Sequence, residues 1–413
     1  MSNDRNLIVG LDIGTSKIVA IVAAVNNMNG DEEGLDIIGV GTHASQGIKK
    51  GMIVNMDAAV QSIQQAIEEA EYVAGCKIHA VYTGIAGSHI RCLNSHGIVA
   101  VRGQAITSQD VERVIDAAKA VLIPADQKIL HVLPQAFSID NQEGVRDPIG
   151  LPGVRLEAEI HMVTGSVSAA ESSVTCIRRC GLEVDDIILS PLASSYAVLT
   201  EDEKQLGVCL IDIGAGTTDI AVFVDGYLKH SAVIPVAGDL VTNDIAVALR
   251  ASTIVAEQMK IQYACALAEM VDPDEKVDIP TIGDKPQKQI LRMRLAEVVE
   301  PRFEELFSLV QAELYQVGLE NALGAGIVIT GGSAHMEGVI ELAEAVFQLP
   351  VKYGVPRNIS GLLDVVRNPL YATAVGLLEY GYQAAKQHRA EQFAGQGFKR
   401  AFGRVKHWFQ GNI

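Results

Sequence analysis

The sequence predicts an α/β protein of two related halves, each a β-sheet with helices, with a small α+β subdomain inserted into the first half. Three observations predict it. The chain has 413 residues, and beyond about 250–300 residues a single core usually splits into domains. A strand, an Asp-Ile-Gly turn and a second strand occur together twice, at Asp12 and at Asp212. Between the copies, residues 84–162 are rich in short strands and turns and lack that turn motif.

The first copy runs from the apolar strand Leu7 to Leu11, through Asp12-Ile-Gly-Thr-Ser, into a strand from Lys17 to Val25. The second runs from Gly207-Val-Cys-Leu-Ile, through Asp212-Ile-Gly-Ala-Gly-Thr-Thr-Asp219, into Ile220 to Val224. An internal repeat of this kind implies two units of the same topology. Helical patterns lie between and after them. Residues 57–74 place apolar side chains at 60, 63, 67, 70 and 73, one face of a helix. Ser108 reads as an N-cap with acids in the first turn. Residues 168–181, 191–199, 242–249 and 254–267 also read as helices. Residues 291–319 form a long helical region that Pro301 should break or kink. Residues 369–382 form an apolar helix, 386–397 a flexible linker, and 323–333 a strand ending in a glycine turn.

Composition excludes several classes. Hydrophobic content of 48% with 20% charged residues fits a globular chain rather than a disordered one. No apolar run reaches the roughly 18 residues of a membrane span, and the acid-bearing N-terminus lacks a signal-peptide pattern. The net charge of −17 argues against nucleic acid as a partner. Six scattered cysteines, including the Cys176/Cys180 pair, read as buried reduced thiols rather than a zinc site. Gly39-Val-Gly-Thr-His-Ala matches a dinucleotide fingerprint, but residues 45–51 do not open a helix, so a phosphate there would lack its helix N-terminus.

The two Asp-Ile-Gly turns are the candidate phosphate site. Phosphate needs backbone N–H groups that approach closely, which glycine permits. Gly14, Thr15, Ser16 and Lys17 supply amides, hydroxyls and a cation; Gly214, Ala215, Gly216, Thr217 and Thr218 supply the same groups without the cation. Asp12 and Asp212 would repel phosphate directly. They fit a hydrated Mg²⁺ between them, bound through water. Either turn alone reads equally well as an ordinary β-hairpin; two copies, with a third glycine turn at Gly331-Gly332-Ser333, favour the phosphate reading.

VGLDIGTSK, LIDIGAGTTDIAVF and IVITGGSAHMEGV resemble, in order, the first phosphate, second phosphate and adenosine motifs of the actin-like ATPase superfamily. Within it, the chain is similar to the bacterial cell-division FtsA family through IIGVG…QGIKKG, HVLPQAFSID, LASSYAVLTEDEK, RLAEVVEPRFEEL and the amphipathic C-terminus. The resemblance implies an actin-like two-half fold with duplicated β-sheet/helix domains. It implies ATP with Mg²⁺ in a central cleft, extending the site to Asp219, Gly238, Gly331, Gly332, Ser333 and Met336. The expected division is a first half of 1–83, 163–203 and 364–385, with an insert at 84–162. The second half comprises 204–242 and 306–363, with a smaller subdomain at 243–305. The linker 386–397 and an amphipathic segment 398–413 follow. The implied role is polymerisation on the cytoplasmic face of the inner membrane at the septum, tethering FtsZ filaments there and recruiting other division proteins. The FtsZ C-terminal peptide would dock on the smaller subdomain, where Arg302 could pair with a peptide acid, or instead be a solvated helix residue or pair with Glu300 or Glu305.

Hydrolysis is expected to be slow. Relatives in the superfamily position the attacking water with an acid where this chain has Ser190, and serine is a poor base unless activated. No catalytic residue is assigned. In the tail, Phe398, Phe402, Val405 and Phe409, flanked by Trp408, share one helical face. Lys399, Arg400, Arg404 and Lys406 take the other, a pattern suited to anionic lipid. A small-molecule kinase and a chaperone or pilus-assembly ATPase of the same superfamily are the competing readings; neither has an evident use for this tail.

Overall fold

An antiparallel meander followed by helical crossovers builds each half, and the same order of strands recurs in both. The computed structural model describes residues 7–28, 32–279 and 288–393. The first half opens with β1 (Leu7–Ile13), β2 (Lys17–Met28) and β3 (Glu32–Ala44). A two-residue-turn hairpin of β4 (Ile48–Lys49) and β5 (Met52–Ile53) follows, then α1 (Met56–Ala74) and β6 (Ala80–Ile85). The insert contains β7 (Arg91–Ala100), α2 (Ser108–Lys119), β8 (Gln127–Ile139), β9 (Gln142–Val145) and β10 (Arg155–Ser166). The first half resumes with α3 (Val167–Arg179), β11 (Glu183–Leu189) and α4 (Ser190–Val198), and α5 (Glu201–Leu206) leads out of it.

The second half repeats the meander as β12 (Val208–Ile213), β13 (Thr218–Val224) and β14 (Tyr227–Ile234). A larger excursion follows: α6 (Gly238–Leu249), α7 (Thr253–Tyr263), β15 (Lys276–Ile279), β16 (Lys288–Leu291) and α8 (Arg292–Val317). Then come β17 (Ile327–Thr330), α9 (Val339–Phe347) and β18 (Val351–Tyr353). The chain finally returns to the first half through β19 (Ile359–Gly361), α10 (Leu363–Val366) and α11 (Ala372–Phe393). The sheets are ordered β11-β6-β1-β2-β3-β19 and β14-β13-β12-β17-β18. In each, the hairpin's first strand pairs antiparallel with its second and parallel with the strand after the crossover. The insert is a separate sheet, β7-β10-β8-β9, with α2 packed on it.

Packing explains details that periodicity does not. α1 buries Ala59, Ile63, Ala66, Ile67 and Ala70, while Val73 of the expected face is exposed. The small residues matter because α1 lies tightly on β3. A Cβ at Gly41 would overlap the Ala66 carbonyl, and one at Gly39 would lie 2.6 Å from the Ala74 side chain. The Gly39-Val-Gly repeat is therefore a helix-packing surface and not a dinucleotide turn. α4 and α11 cross between the halves, where Gly376 lets α11 approach the Ala193 carbonyl.

Several local expectations need correction. The cap of α2 is Thr107, which exchanges hydrogen bonds with Asp110, rather than Ser108. α6 begins at Gly238, and α7 ends at Tyr263. α8 runs unbroken through Pro301, because Leu295, Val299, Phe303, Leu306, Phe307 and Val310 anchor its buried stripe on both sides of the proline. Residues 386–393, expected as linker, continue α11; KQHRAEQF consists mostly of good helix formers, and the first glycine comes at 395. The cysteines are free, and Cys176 and Cys180 turn their thiols to the carbonyls of Met56 and Val60 on α1. No described helix is long and apolar enough to cross a membrane. The amphipathic segment 398–413 lies outside the described residues.

Candidate functional site

The two hairpins close with the same hydrogen bond. Gly14 N–H donates to Lys17 O (3.1 Å), and Gly214 N–H donates to Thr217 O (3.0 Å). Strand register is also the same: Asp12 pairs Val19 and Ile13 pairs Ile18, while Asp212 pairs Asp219 and Ile213 pairs Thr218. The two turns face a single cleft of about 650 Å³ between the halves. Asp12, Gly14, Thr15, Ser16 and Lys17 line it from one side; Asp212, Gly214, Ala215, Gly216, Thr217 and Asp219 line it from the other. Gly332, Ser333 and Met336 also line it. Gly216 is where the walls touch: a Cβ there would lie 2.6 Å from Thr15 Oγ1 and 2.9 Å from the Lys50 backbone.

Three predicted residues support the cleft rather than line it. Thr218 is fully buried and donates to Val236 O (2.8 Å). Gly238 opens α6 beneath the second turn, where its N–H and that of Asp239 donate to Gly214 O (3.1 Å) and Ala215 O (2.8 Å). A side chain at Gly238 would strike the Ser333 hydroxyl, which itself donates to Gly214 O (3.0 Å). Gly331 adopts φ 93°, and a Cβ there would overlap the Asp212 carboxylate.

The electrostatics are unbalanced. Burial raises Asp12 to about 7, with Asp212 adding to the rise and Lys17 opposing it. Burial raises Asp219 to about 8, helped by the like charge of Asp212. Asp212 is also raised by burial, although Ser194 (2.7 Å) and Thr373 (3.3 Å) donate to its Oδ2 from α4 and α11. Burial lowers Lys17 to about 8, and its ammonium sits 4.7 Å over the Tyr371 ring. One Asp219 oxygen is buried without a hydrogen-bond partner. Ser190 lines the cleft at the start of α4; a Cβ on Gly84 would lie 2.8 Å from its hydroxyl and 3.8 Å from Asp12 Oδ1, so serine and acid flank that glycine.

The cleft also has lining residues that the sequence reading missed. Glu257, Lys260, Arg292, His335 and Glu337 line it, as does Thr373. Lys260 Nζ reaches Glu257 (2.7 Å), Thr242 Oγ1 (2.8 Å) and Gly238 O (3.2 Å). Glu257 and Lys260 stand three apart on α7, a spacing that reads as an ordinary solvated ion pair until the helix is seen against the cleft. Arg302 lies elsewhere, on α8, clamped by Asp244 (2.7 and 3.1 Å) and bonded to Glu305.

Comparison with known proteins agrees with this architecture. The model described as cell division protein FtsA matches residues 209–376, and that of the SHS2 domain inserted in FtsA matches 87–164. Cell division protein FtsA of Pseudomonas aeruginosa is 56% identical, over 98% of both chains. That of Escherichia coli K12 is 44% identical, over 94% of both. Among solved structures, the PilM–PilN type IV pilus biogenesis complex aligns with a TM-score of 0.66 at 15% identity, covering 91% of this chain and 98% of that one. MreB5 of Spiroplasma citri bound to ADP aligns at 0.55 and 16% identity, over 93% and 98%. These last two share the fold. With a duplicated actin-like architecture, the matching insert and near full-length identity to two curated relatives, the chain belongs to the FtsA family of bacterial cell-division proteins.

Proposed function

We propose that the chain binds ATP with Mg²⁺ in the cleft, polymerises on the cytoplasmic face of the inner membrane at the septum, and tethers FtsZ filaments there while helping to recruit other division proteins. The observation that carries it is the pair of matching glycine turns facing one cavity. Backbone amides of Gly14 to Lys17 and of Gly214 to Thr217 are suited to cradle a phosphate chain, with Lys17 as the cation. The three buried carboxylates and the orphaned Asp219 oxygen fit a divalent cation, which would offset charges that otherwise take up protons. No group of three or more His, Cys, Asp or Glu side chains poised to hold a metal occurs among the described residues. Asp12 and Asp212 would hold Mg²⁺ through its water shell, and the ion would supply charge neutralisation there.

Hydrolysis is slow in this reading, because Ser190 occupies the water-positioning place and has no activating histidine beside it in sequence. Nucleotide then acts mainly to clasp the halves. Lys260 and Glu257 offer polar contacts in the cleft wall beside Gly238. FtsZ's C-terminal peptide docks on the subdomain that carries α8, and Arg302 serves it only by giving up Asp244. Electron microscopy on anionic lipid monolayers with ATP tests the whole: filaments that recruit FtsZ, and that vanish when residues 398–413 are removed, are expected. Filaments unchanged by that truncation overturn the tethering, and fast turnover abolished by Asp212→Ala overturns the slow-hydrolysis reading.

A further inference from the structure

The insert is joined covalently to the first half, yet its Cys92, Asn94, Gln135 and His161 side chains bond to the second. The contact strand is β14, an edge of the second sheet. Its register against β13 slips between Val222↔His230 and Phe223↔Leu228, leaving Lys229 as a bulge. Bulges re-aim side chains, and this one sits on an edge. Strand β8 of the insert slips against β10 between Ala158↔Phe137 and Ile160↔Pro134, at Gln135. The two irregularities meet. Gln135 Nε2 donates to Leu228 O (3.0 Å), and Lys229 Nζ donates back to Gln135 Oε1 (3.1 Å). Gln135 is 3% exposed and its bond to Leu228 O is buried, while the Lys229 ammonium is half-buried.

A second set of bonds continues the seam, and its donors can be assigned. Asn94 Nδ2 donates to Lys229 O (3.1 Å), which leaves Asn94 Oδ1 to accept from His161 Nδ1–H (2.6 Å). Burial keeps His161 neutral, so its Nε2 accepts from the Ser231 hydroxyl (2.8 Å). The Ser231 oxygen in turn accepts from the Cys92 thiol (2.8 Å). Every member is satisfied, which is the condition for a buried polar network to specify one arrangement. The insert is also held to the first half, where Leu189 N–H donates to His131 Nε2 (2.9 Å). On the other face of β14, His230 meets Glu313 of α8 (2.9 Å). No residue of strands β7–β10 lines the cleft.

We propose that the insert is a strap fastening the two halves outside the cleft, with the Gln135–Lys229 and Cys92–Ser231–His161–Asn94 contacts as its buckle. It keeps β14 of the second half fastened to the insert whether or not nucleotide is bound. The inference is independent of the nucleotide reading, since the contacts need no ligand.

Ser231→Cys in the full chain tests it, because the Ser231 hydroxyl it replaces lies 2.8 Å from the Cys92 sulfur. Refolding from urea in a glutathione redox buffer, which exposes the buried thiols, is expected to join the introduced thiol to Cys92 as a disulfide, removing two thiols from titration in denaturant, to the same extent with and without Mg·ATP. Gln135→Ala, checked for folding by circular dichroism, is expected to speed hydrogen exchange across β14 at least tenfold and leave β1 and β2 unchanged. A pair that stays reduced after this refolding overturns the strap, as does cross-linking that depends on nucleotide. Unaltered β14 exchange in Gln135→Ala does the same.

Discussion

Asp219 shows how the two hairpins, alike in backbone, differ in chemistry. It stands directly across the ladder from Asp212, whereas the partner of Asp12 at the same place is Val19. Like charges so opposed are destabilising, and one Asp219 oxygen lacks a partner. Asp219→Asn is therefore expected to stabilise the ligand-free protein by about 1–3 kcal/mol at pH 8 while weakening Mg·ATP binding. Denaturant titration and calorimetry read the two effects; loss of stability would refute the first. Histidines provide a separate pH signature. Burial lowers His131 to about 4 and His161 to about 3. Both are neutral in the fold but protonate near 6.5 when unfolded, so their contribution is complete above that pH and is lost as pH falls toward 4. Each costs roughly 2 kcal/mol by pH 5. His131→Gln, which can still accept from the Leu189 amide, is expected to flatten the fall in urea midpoint between pH 7 and 5 relative to wild type.

At the scale of elements, tertiary packing overrides local punctuation. Pro301 should interrupt a helix, since it lacks an N–H and crowds the preceding turn. α8 continues because the apolar stripe on both sides of the proline is buried against α6, α9 and the second sheet. The proline's cost remains within that helix, so Pro301→Ala is expected to raise stability by about 1 kcal/mol or more, read as a higher urea midpoint with unchanged slope. The glycines of β3 show the opposite case. They match a phosphate fingerprint in sequence, but their purpose, clearance for α1, is visible only once helix and strand are brought together. Asp-Ile-Gly hairpins were legible because strand, turn and strand are local. The Glu257–Lys260 pair was not, because its meaning depends on where α7 lies.

For the whole molecule, the central quantity is how many weak contacts act together. Four tail cations near an anionic surface are worth roughly 1 kcal/mol each, and ordering the segment offsets part of that. In the proposed membrane-bound filament, one tail would thus bind reversibly, whereas many presented at once would gain avidity by orders of magnitude. Co-sedimentation with phosphatidylglycerol-containing vesicles is expected to be strong for the polymerising protein and at least tenfold weaker for a monomer-locked variant. Equal binding by both would refute the coupling.

The sequence by itself determined the duplicated hairpins, the residues of both glycine turns, the presence of an insert and the family resemblance. All of these are carried by contiguous residues whose backbone chemistry is local. Only the tertiary structure decided that Gly238, Gly331 and Thr218 support the cleft instead of lining it, and that Arg302 is already engaged by Asp244. It alone joined Gln135 to Lys229 and His161 to Ser231. Those outcomes depend on which surfaces meet across distant segments, and burial, carbonyl clearance and the satisfaction of each donor settle that only when the whole chain is folded.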